Sequence, residues 1–134
     1  MNQLAARKTI QNLQQVLESS PALTTDMREF TDHFFAPGVY LRTLFIPKGH
    51  VLVGAVHKYE ALNILLKGKI SVVTSSGERI VAEAPYIFLA KPGQKAGYAI
   101  TNVWYASVHP NEDNITDIKQ LEMEYTVQTL EVLS

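Results

Sequence analysis

Between Pro37 and His109 the chain never runs far before it meets a turn signal. Pro37-Gly38, Pro47-Lys48-Gly49, Gly68, Ser75-Ser76-Gly77, Ala84-Pro85 and Lys91-Pro92-Gly93 punctuate it, and the pieces between are rich in Val, Ile, Leu, Tyr and Phe. Pieces this short favour strands over helices, because β-branched and aromatic side chains pack well on a pleated surface. Strands separated by turn signals every ~8–12 residues argue for an all-β sandwich or barrel. The expected strands are 39–46, 50–57, 62–67, 69–74, 79–84, 86–90, 98–101 and 103–109, with Ser75 to Glu78 as a hairpin turn. Within this class, the double-sheet jelly roll is the member that houses a central pocket.

The flanks read differently. Leu4, Ile10, Leu13, Val16 and Leu17 recur at helical spacing, which predicts a helix over 3–18 that ends before Pro21. A second short helix is expected from Asp26, with Glu29 completing a capping pair and Met27, Phe30 and Phe34 as its apolar side. Residues 1–36 are therefore read as a helical extension, and 37–134 as the jelly-roll domain. After His109-Pro110 the chain turns polar; 114–122 reads as a short helix and 125–132 alternates like an added strand. The extension either packs on the barrel or forms a contact between copies. Its apolar stripe, with the open sheet edges, leads us to expect a homodimer or higher oligomer.

With 134 residues and a hydrophobic fraction of 46%, one domain with a real core is expected. A net charge of −1 gives no field for nucleic acid or a membrane surface, and neither partner is expected. No apolar run approaches the ~20 residues that span a bilayer. The N-terminus lacks a continuous apolar stretch of the secretory kind, so a cytoplasmic protein is expected. With no cysteine, disulfides, zinc–thiolate sites and cysteine nucleophiles are excluded.

Two segments carry a family resemblance: Gly49 to Gly68 and Pro85 to Trp104. With Gly38-Val39-Tyr40-Leu41-Arg42, Pro47-x-Gly49, His57-Lys58, Lys67-Gly68, Lys91-Pro92-Gly93-x-Lys95 and His109-Pro110, the chain resembles the small cupin proteins of tailed bacteriophages and prophages. The resemblance implies a cupin-like double-stranded β-helix and a phage setting, which would place the protein in the host cytoplasm. It also implies where a metal would be held. The first cupin motif carries two histidines one residue apart and then a glutamate; these positions fall on Ala55, His57 and Ala61, with Glu60 one place off. The later histidine position falls on Ala96 or its neighbour Lys95. Only His57 stands where a ligand is expected, so no resident metal is expected.

Three constellations follow. Arg42, His57, Lys95 and His109 can converge on the barrel mouth as an anion-binding pocket, with Tyr98 and Trp104 as flat walls for a ring. Against this, each lysine taken alone reads as a solvated turn residue and Trp104 as core. A metal site, if there is one, would draw on His57, His109, His50 and Glu60. His50 and His57 are an odd number of positions apart and face opposite ways on a regular strand, unless Gly54 holds a bulge. Metal-free acid–base work would need Glu60, Glu83 or His57, and no matched pair is legible. The expected function is non-catalytic binding of a small anionic or nucleotide-like ligand. In a phage this would sequester a nucleotide-derived immune signal. The alternatives are a metal-dependent dioxygenase or isomerase, and a structural or host-protein-binding subunit.

Overall fold

The computed structural model describes residues 4–6, 8, 10 and 30–127. Two antiparallel sheets face each other. The first has the order β1-β2-β10-β5-β8 and the second the order β3-β9-β6-β7. In chain order the strands are β1 (Thr31–Ala36), β2 (Gly38–Ile46), β3 (Val51–Val53), β4 (Val56–His57), β5 (Ala61–Lys67), β6 (Lys69–Thr74), β7 (Arg79–Glu83), β8 (Tyr86–Ala90), β9 (Lys95–Ala99), β10 (Val103–Asn111) and β11 (Thr126–Val127). This is the all-β jelly roll that the turn spacing predicts, and β4 and β11 add a small ribbon at one end.

The long central strands set the inside of the barrel. On β2, Tyr40, Leu44 and Ile46 are buried on one face, and on β10, Val103, Ser107 and His109 are buried on the facing side. Antiparallel pairing places Ile46 opposite Val103, Leu44 opposite Tyr105, Arg42 opposite Ser107 and Tyr40 opposite His109. Polarity therefore changes along the barrel. One end is a dry core of Leu44, Ile46, Leu65, Ala82, Ala99 and Val103. The row at Arg42 and Ser107 is polar, and the row at Tyr40 and His109 is aromatic.

Three expectations are corrected. The second helix does not reach Phe34, because Thr31–Ala36 is a strand paired with β2 through the turn at Pro37-Gly38. Phe30 and Phe34 are spaced like a helix face, but Thr31 and the adjacent pair Phe34-Phe35 suit a strand, and β2 offers an open edge to pair with. The strand expected at 98–101 lies at Lys95–Ala99 instead, where a lysine and a glycine hid it from a hydrophobic pattern. The C-terminal helix is Ile118–Tyr125, so Tyr125 closes a helix rather than opening a strand. Asp117 caps that helix, accepting hydrogen bonds from the backbone N–H groups of Lys119 at 3.0 Å and Gln120 at 3.3 Å. Val56–His57 then pairs with Thr126–Val127. The rest of the expected terminal strand, the stripe beyond Ile10, and Asp26 to Glu29 lie outside the described residues.

Leu4, Ala5, Ala6, Lys8 and Ile10 are helical. Ala6 and Ile10 are buried within the single chain. That part of the stripe packs against the protein itself.

Gly68 joins β5 to β6 with φ +92°, and a Cβ there would run into the carbonyl oxygen of Asn102. Both the backbone conformation and the space exclude a side chain. Gly68→Ala should lose about 2–3 kcal/mol of stability in urea unfolding; an unchanged midpoint would contradict the β5–β6 turn described here.

Candidate functional site

Between the two sheets lies a cavity of about 240 Å³. Leu44, Ile46, Leu52, Leu65, Ile70 and Val72 line its inner end. Arg42, His57, Lys95 and His109 line it together with Asn63 and Ser107. Phe88, Tyr59 and Tyr105 supply ring surface. Among the described residues no Asp or Glu lines it.

The register explains this gathering. Ser107 on β10 stands directly opposite Arg42 of β2 on one side and Asn63 of β5 on the other. Asn63 in turn stands opposite Phe88 of β8, and Arg42 opposite His33 of β1. One row of side chains thus crosses the whole first sheet. Lys95 comes from the opposite sheet, where odd-numbered positions of β9 face in and Lys95 and Gly97 both line the cavity. Its Nζ lies 5.4 Å from the centroid of the Phe88 ring, so the cation rests on an aromatic face.

His57 is held by backbone. Its N–H donates to the Gly93 carbonyl at 2.9 Å, and the Gly93 N–H donates back to the His57 carbonyl at 3.0 Å. The Lys91-Pro92-Gly93 turn therefore fixes the position of the imidazole. At the mouth the His57 and His109 rings are nearly parallel at 6.1 Å, 6° between planes. His109 also stacks on Tyr125 at 4.7 Å and on Tyr40 at 5.8 Å. Tyr40 hydrogen-bonds His33 at 2.7 Å, and the Tyr125 hydroxyl donates to the Pro110 carbonyl.

Burial and like charge act together on these bases. Desolvation pushes His57 down to about 4, and the charges of Arg42, Lys95 and His109 push the same way. His109 falls to about 4 by burial, then by Arg42 and Lys95. Lys95 falls to about 8 by burial, then by Arg42. At neutral pH the imidazoles are uncharged while Arg42 and most of Lys95 remain cationic. The only ion pair near the rim among the described residues is Lys91 with Glu78 at 3.7 Å. Among the described residues no acidic side chain lines the cavity beside the two inner cations.

Of the expected pocket residues, Arg42, His57, Lys95 and His109 meet in the cavity. Lys95, which alone reads as a solvated turn residue, is an inward strand residue. Tyr98 and Trp104 do not line the cavity. Tyr98 is one position out of phase with Gly97 and faces outward, 46% exposed, and Trp104 is 42% exposed on the outer face of β10. Strand parity sends each to the wrong side, and Tyr105 and Phe88 take the wall instead. His50 is exposed in the turn before β3, and Glu60 and Glu83 are exposed as well. Gly54 interrupts the strand between β3 and β4, but His50 lies before that break and stays outside. Asn63, Ser107, Tyr40 and Tyr125 were not singled out from sequence. Asn63 and Ser107 carried a readable signal, since each is a polar residue at an inward position of an apolar alternation.

Neither a family model nor a curated protein sequence matches this chain. Solved structures do. An RmlC-like cupin from Shewanella frigidimarina matches with a TM-score of 0.52 at 15% identity, over 66% of this chain and 78% of its own. A cupin superfamily protein from Desulfitobacterium hafniense matches with a TM-score of 0.51 at 8% identity, over 60% of this chain and 74% of its own. The fold is that of the cupins. The same cupin-type barrel matches part of a salicylate 1,2-dioxygenase from Pseudaminobacter salicylatoxidans, with a TM-score of 0.52 at 13% identity, over 58% of this chain and 25% of its own. All three sources are bacteria. At these identities the likeness concerns the fold and not the chemistry.

A cupin barrel implies a metal, and these residues do not fit one. Among the described residues no three His, Cys, Asp or Glu side chains come together as a ligand set. His57 and His109 supply two nitrogens, and the charged side chains among the described lining residues are the cations Arg42, Lys95 and Lys91. A divalent ion would face repulsion where a carboxylate should neutralise it.

The depressed histidines make stability depend on pH. Below their ordinary value of 6.5 the unfolded chain takes up protons that the folded chain refuses until about pH 4. Stability is therefore full above pH 6.5 and falls as pH drops toward 4, by up to about 1.4 kcal/mol per pH unit for each histidine. Urea midpoints measured from pH 7 to pH 4.5 should fall, and His109→Phe should flatten the fall. A midpoint independent of pH in this window would contradict the buried, neutral imidazoles.

Proposed function

We propose that this cupin-fold protein binds a small anion in the cavity and does not transform it. One observation carries the reading: Arg42 and Lys95 are held inside a sheltered space lined by two neutral histidines and, among the described residues, by no carboxylate. Buried charges are ordinarily paired. An anionic guest supplies the missing charge, gains charge-assisted hydrogen bonds from Arg42 and takes N–H donors from the imidazoles. Glu60 and Glu83, the carboxylates considered for acid–base work, are exposed, which supports binding over turnover.

The size of the cavity bears on the guest. A volume of about 240 Å³ falls just below the usual range of ligand sites, which starts at roughly 300 Å³. Tyr98 and Trp104, the walls expected for a nucleobase, lie outside, and the ring surface inside comes from Phe88, Tyr59 and Tyr105. A compact carboxylate or phosphate suits the space better than a large nucleotide-derived signal. Sequestration in a phage setting is the extended form of this reading, and it needs a guest small enough for this cavity.

Exposed Leu62, Ile87 and Leu89 lie together on the outer face beside β8, an edge strand of the first sheet. Leu62 stands directly opposite Leu89 and Ile64 opposite Ile87. We propose that a second copy covers this face. Light scattering should give a mass of about twice the 15.0 kDa chain, and Ile87→Lys should return it to one; a wild-type monomer at all concentrations would contradict this.

Anion binding should weaken about tenfold or more in Arg42→Ala, from the loss of a charge-assisted hydrogen bond worth about 1.5–3 kcal/mol. Lys95 loses its charge as pH rises through about 8, and a bound anion favours the protonated lysine. Affinity should therefore decline above pH 8 and binding should take up protons there, which calorimetry in buffers of different ionisation enthalpy measures. Guests released by heating should be recovered unaltered. A cleaved or isomerised product would replace this reading with an enzyme.

A further inference from the structure

Lys95 enters the cavity on a fixed stem. Its backbone is held on both sides: Thr74 stands opposite it on β6, and its carbonyl accepts from the Gly54 N–H at 2.9 Å. Its head is not held in this way. Among the described residues no hydrogen bond or ion pair engages Nζ. The group rests 5.4 Å from the centroid of Phe88, a ring that offers no lone pair to its protons. A sheltered ammonium is ordinarily paired. If the cavity needed only a fixed positive charge, a second arginine would hold it more firmly, because a guanidinium does not give up its proton in a protein. A lysine in this place differs in what it can release. Burial, and then the charge of Arg42, lower its pKa to about 8. At pH 7 about a tenth of the molecules then carry it as the free amine. That amine is a nucleophile, and desolvation beside a second cation is a setting in which lysines attack carbonyl carbon. The surroundings supply the rest. Arg42 lines the same cavity as an anchor for a carboxylate. The imidazoles of His57 and His109, both close enough to feel the charge of Lys95, are neutral at pH 7 and can pass protons.

We propose that Lys95 captures a small oxo acid reversibly as an imine, with Arg42 holding the carboxylate while the carbonyl carbon is attacked. The inference rests on the anion reading above and adds a covalent step to it. The ammonium first passes one proton to a neutral imidazole. The amine lone pair then attacks the carbonyl carbon. The C–N bond forms, and the π pair of the C=O bond goes to oxygen, which takes a second proton from nitrogen. The imidazolium returns its proton to the resulting hydroxyl, the C–O bond breaks, water leaves and the nitrogen lone pair closes the C=N bond. Ammonium and carbonyl thus become iminium and water, with no oxidant or reductant. The iminium keeps the positive charge of the lysine, so the match to an anion survives. Water reverses the sequence and returns the guest unaltered.

Pyruvate with sodium cyanoborohydride tests this, because reduction turns the imine into a stable secondary amine. Intact mass spectrometry of the wild-type protein should show one reduced adduct. Peptide mapping should place it on Lys95, about tenfold or more ahead of the exposed Lys48, Lys67 and Lys119. Lys95→Arg should lose the adduct and still bind lactate in calorimetry, since lactate carries a hydroxyl where pyruvate carries the carbonyl. Arg42→Gln should lower labelling by pyruvate about tenfold more than labelling by acetaldehyde, which has no carboxylate. The mapping on the wild type does not depend on any variant folding. Adducts spread evenly over Lys95 and the exposed lysines overturn the imine. So does the absence of an adduct from a wild type that binds lactate or phosphate, and the anion reading then stands. Failure of pyruvate, lactate and phosphate alike to bind overturns both.

Discussion

Strand β10 is paired on both sides, with β2 and with β5, and its register decides which side chains meet inside the barrel. Ser107 faces Arg42 and Asn63 at once. A shift of one residue would turn each of these side chains outward and bring Trp104, Ala106 and Val108 into the cavity. The register is pinned at the dry end, where Ile46 opposes Val103 and both are almost wholly buried. Apolar packing at one end of the barrel thus places the polar row at the other. The bulge between Trp104 and Tyr105 in the pairing with β5 lies between these two regions.

The polar region runs against stability. Lys95 and Arg42 repel each other across the cavity, both histidines are held neutral, and one amide oxygen is left unpaired. None of these features helps the empty protein fold. On the anion reading proposed above, a negatively charged guest would relieve the repulsion between the two cations, and that free energy would return as affinity. Labour is divided along the barrel, with the core of Leu44, Ile46, Leu65 and Val103 keeping the sheets together while the other end carries the polar and charged side chains.

The chain has the cupin fold but departs from the metal-ligand pattern that the resemblance implies. The backbone bridge of His57 to Gly93 keeps one imidazole where the fold holds a ligand. Alanines at 55, 61 and 96 and a lysine at 95 occupy the surrounding positions. Methyl groups and an ammonium where the resemblance implies carboxylate and imidazole change the sign of the local field, which is the basis of the anion reading proposed above.

Much of the barrel was legible in the chain because turns and alternation are local. Pro-Gly and Ser-Ser-Gly turns and β-branched runs located most strands, and Arg42, His57, Lys95 and His109 were marked by their chemistry. Local pattern misled where tertiary pairing overrode it. Phe30 and Phe34 are spaced like a helix face, yet β2 draws Thr31–Ala36 into the sheet. Tyr98 and Trp104 have the right chemistry for a wall, but the face a strand residue occupies depends on its register with neighbours far away in sequence. By itself the sequence determined the class of fold, the absence of a cupin ligand set, and which bases were available to a site. Only the tertiary structure decided which of them share one cavity, and that Lys95 is sheltered and Tyr98 is not. Inward and outward on a strand differ by a single residue, and long-range pairing alone sets that phase.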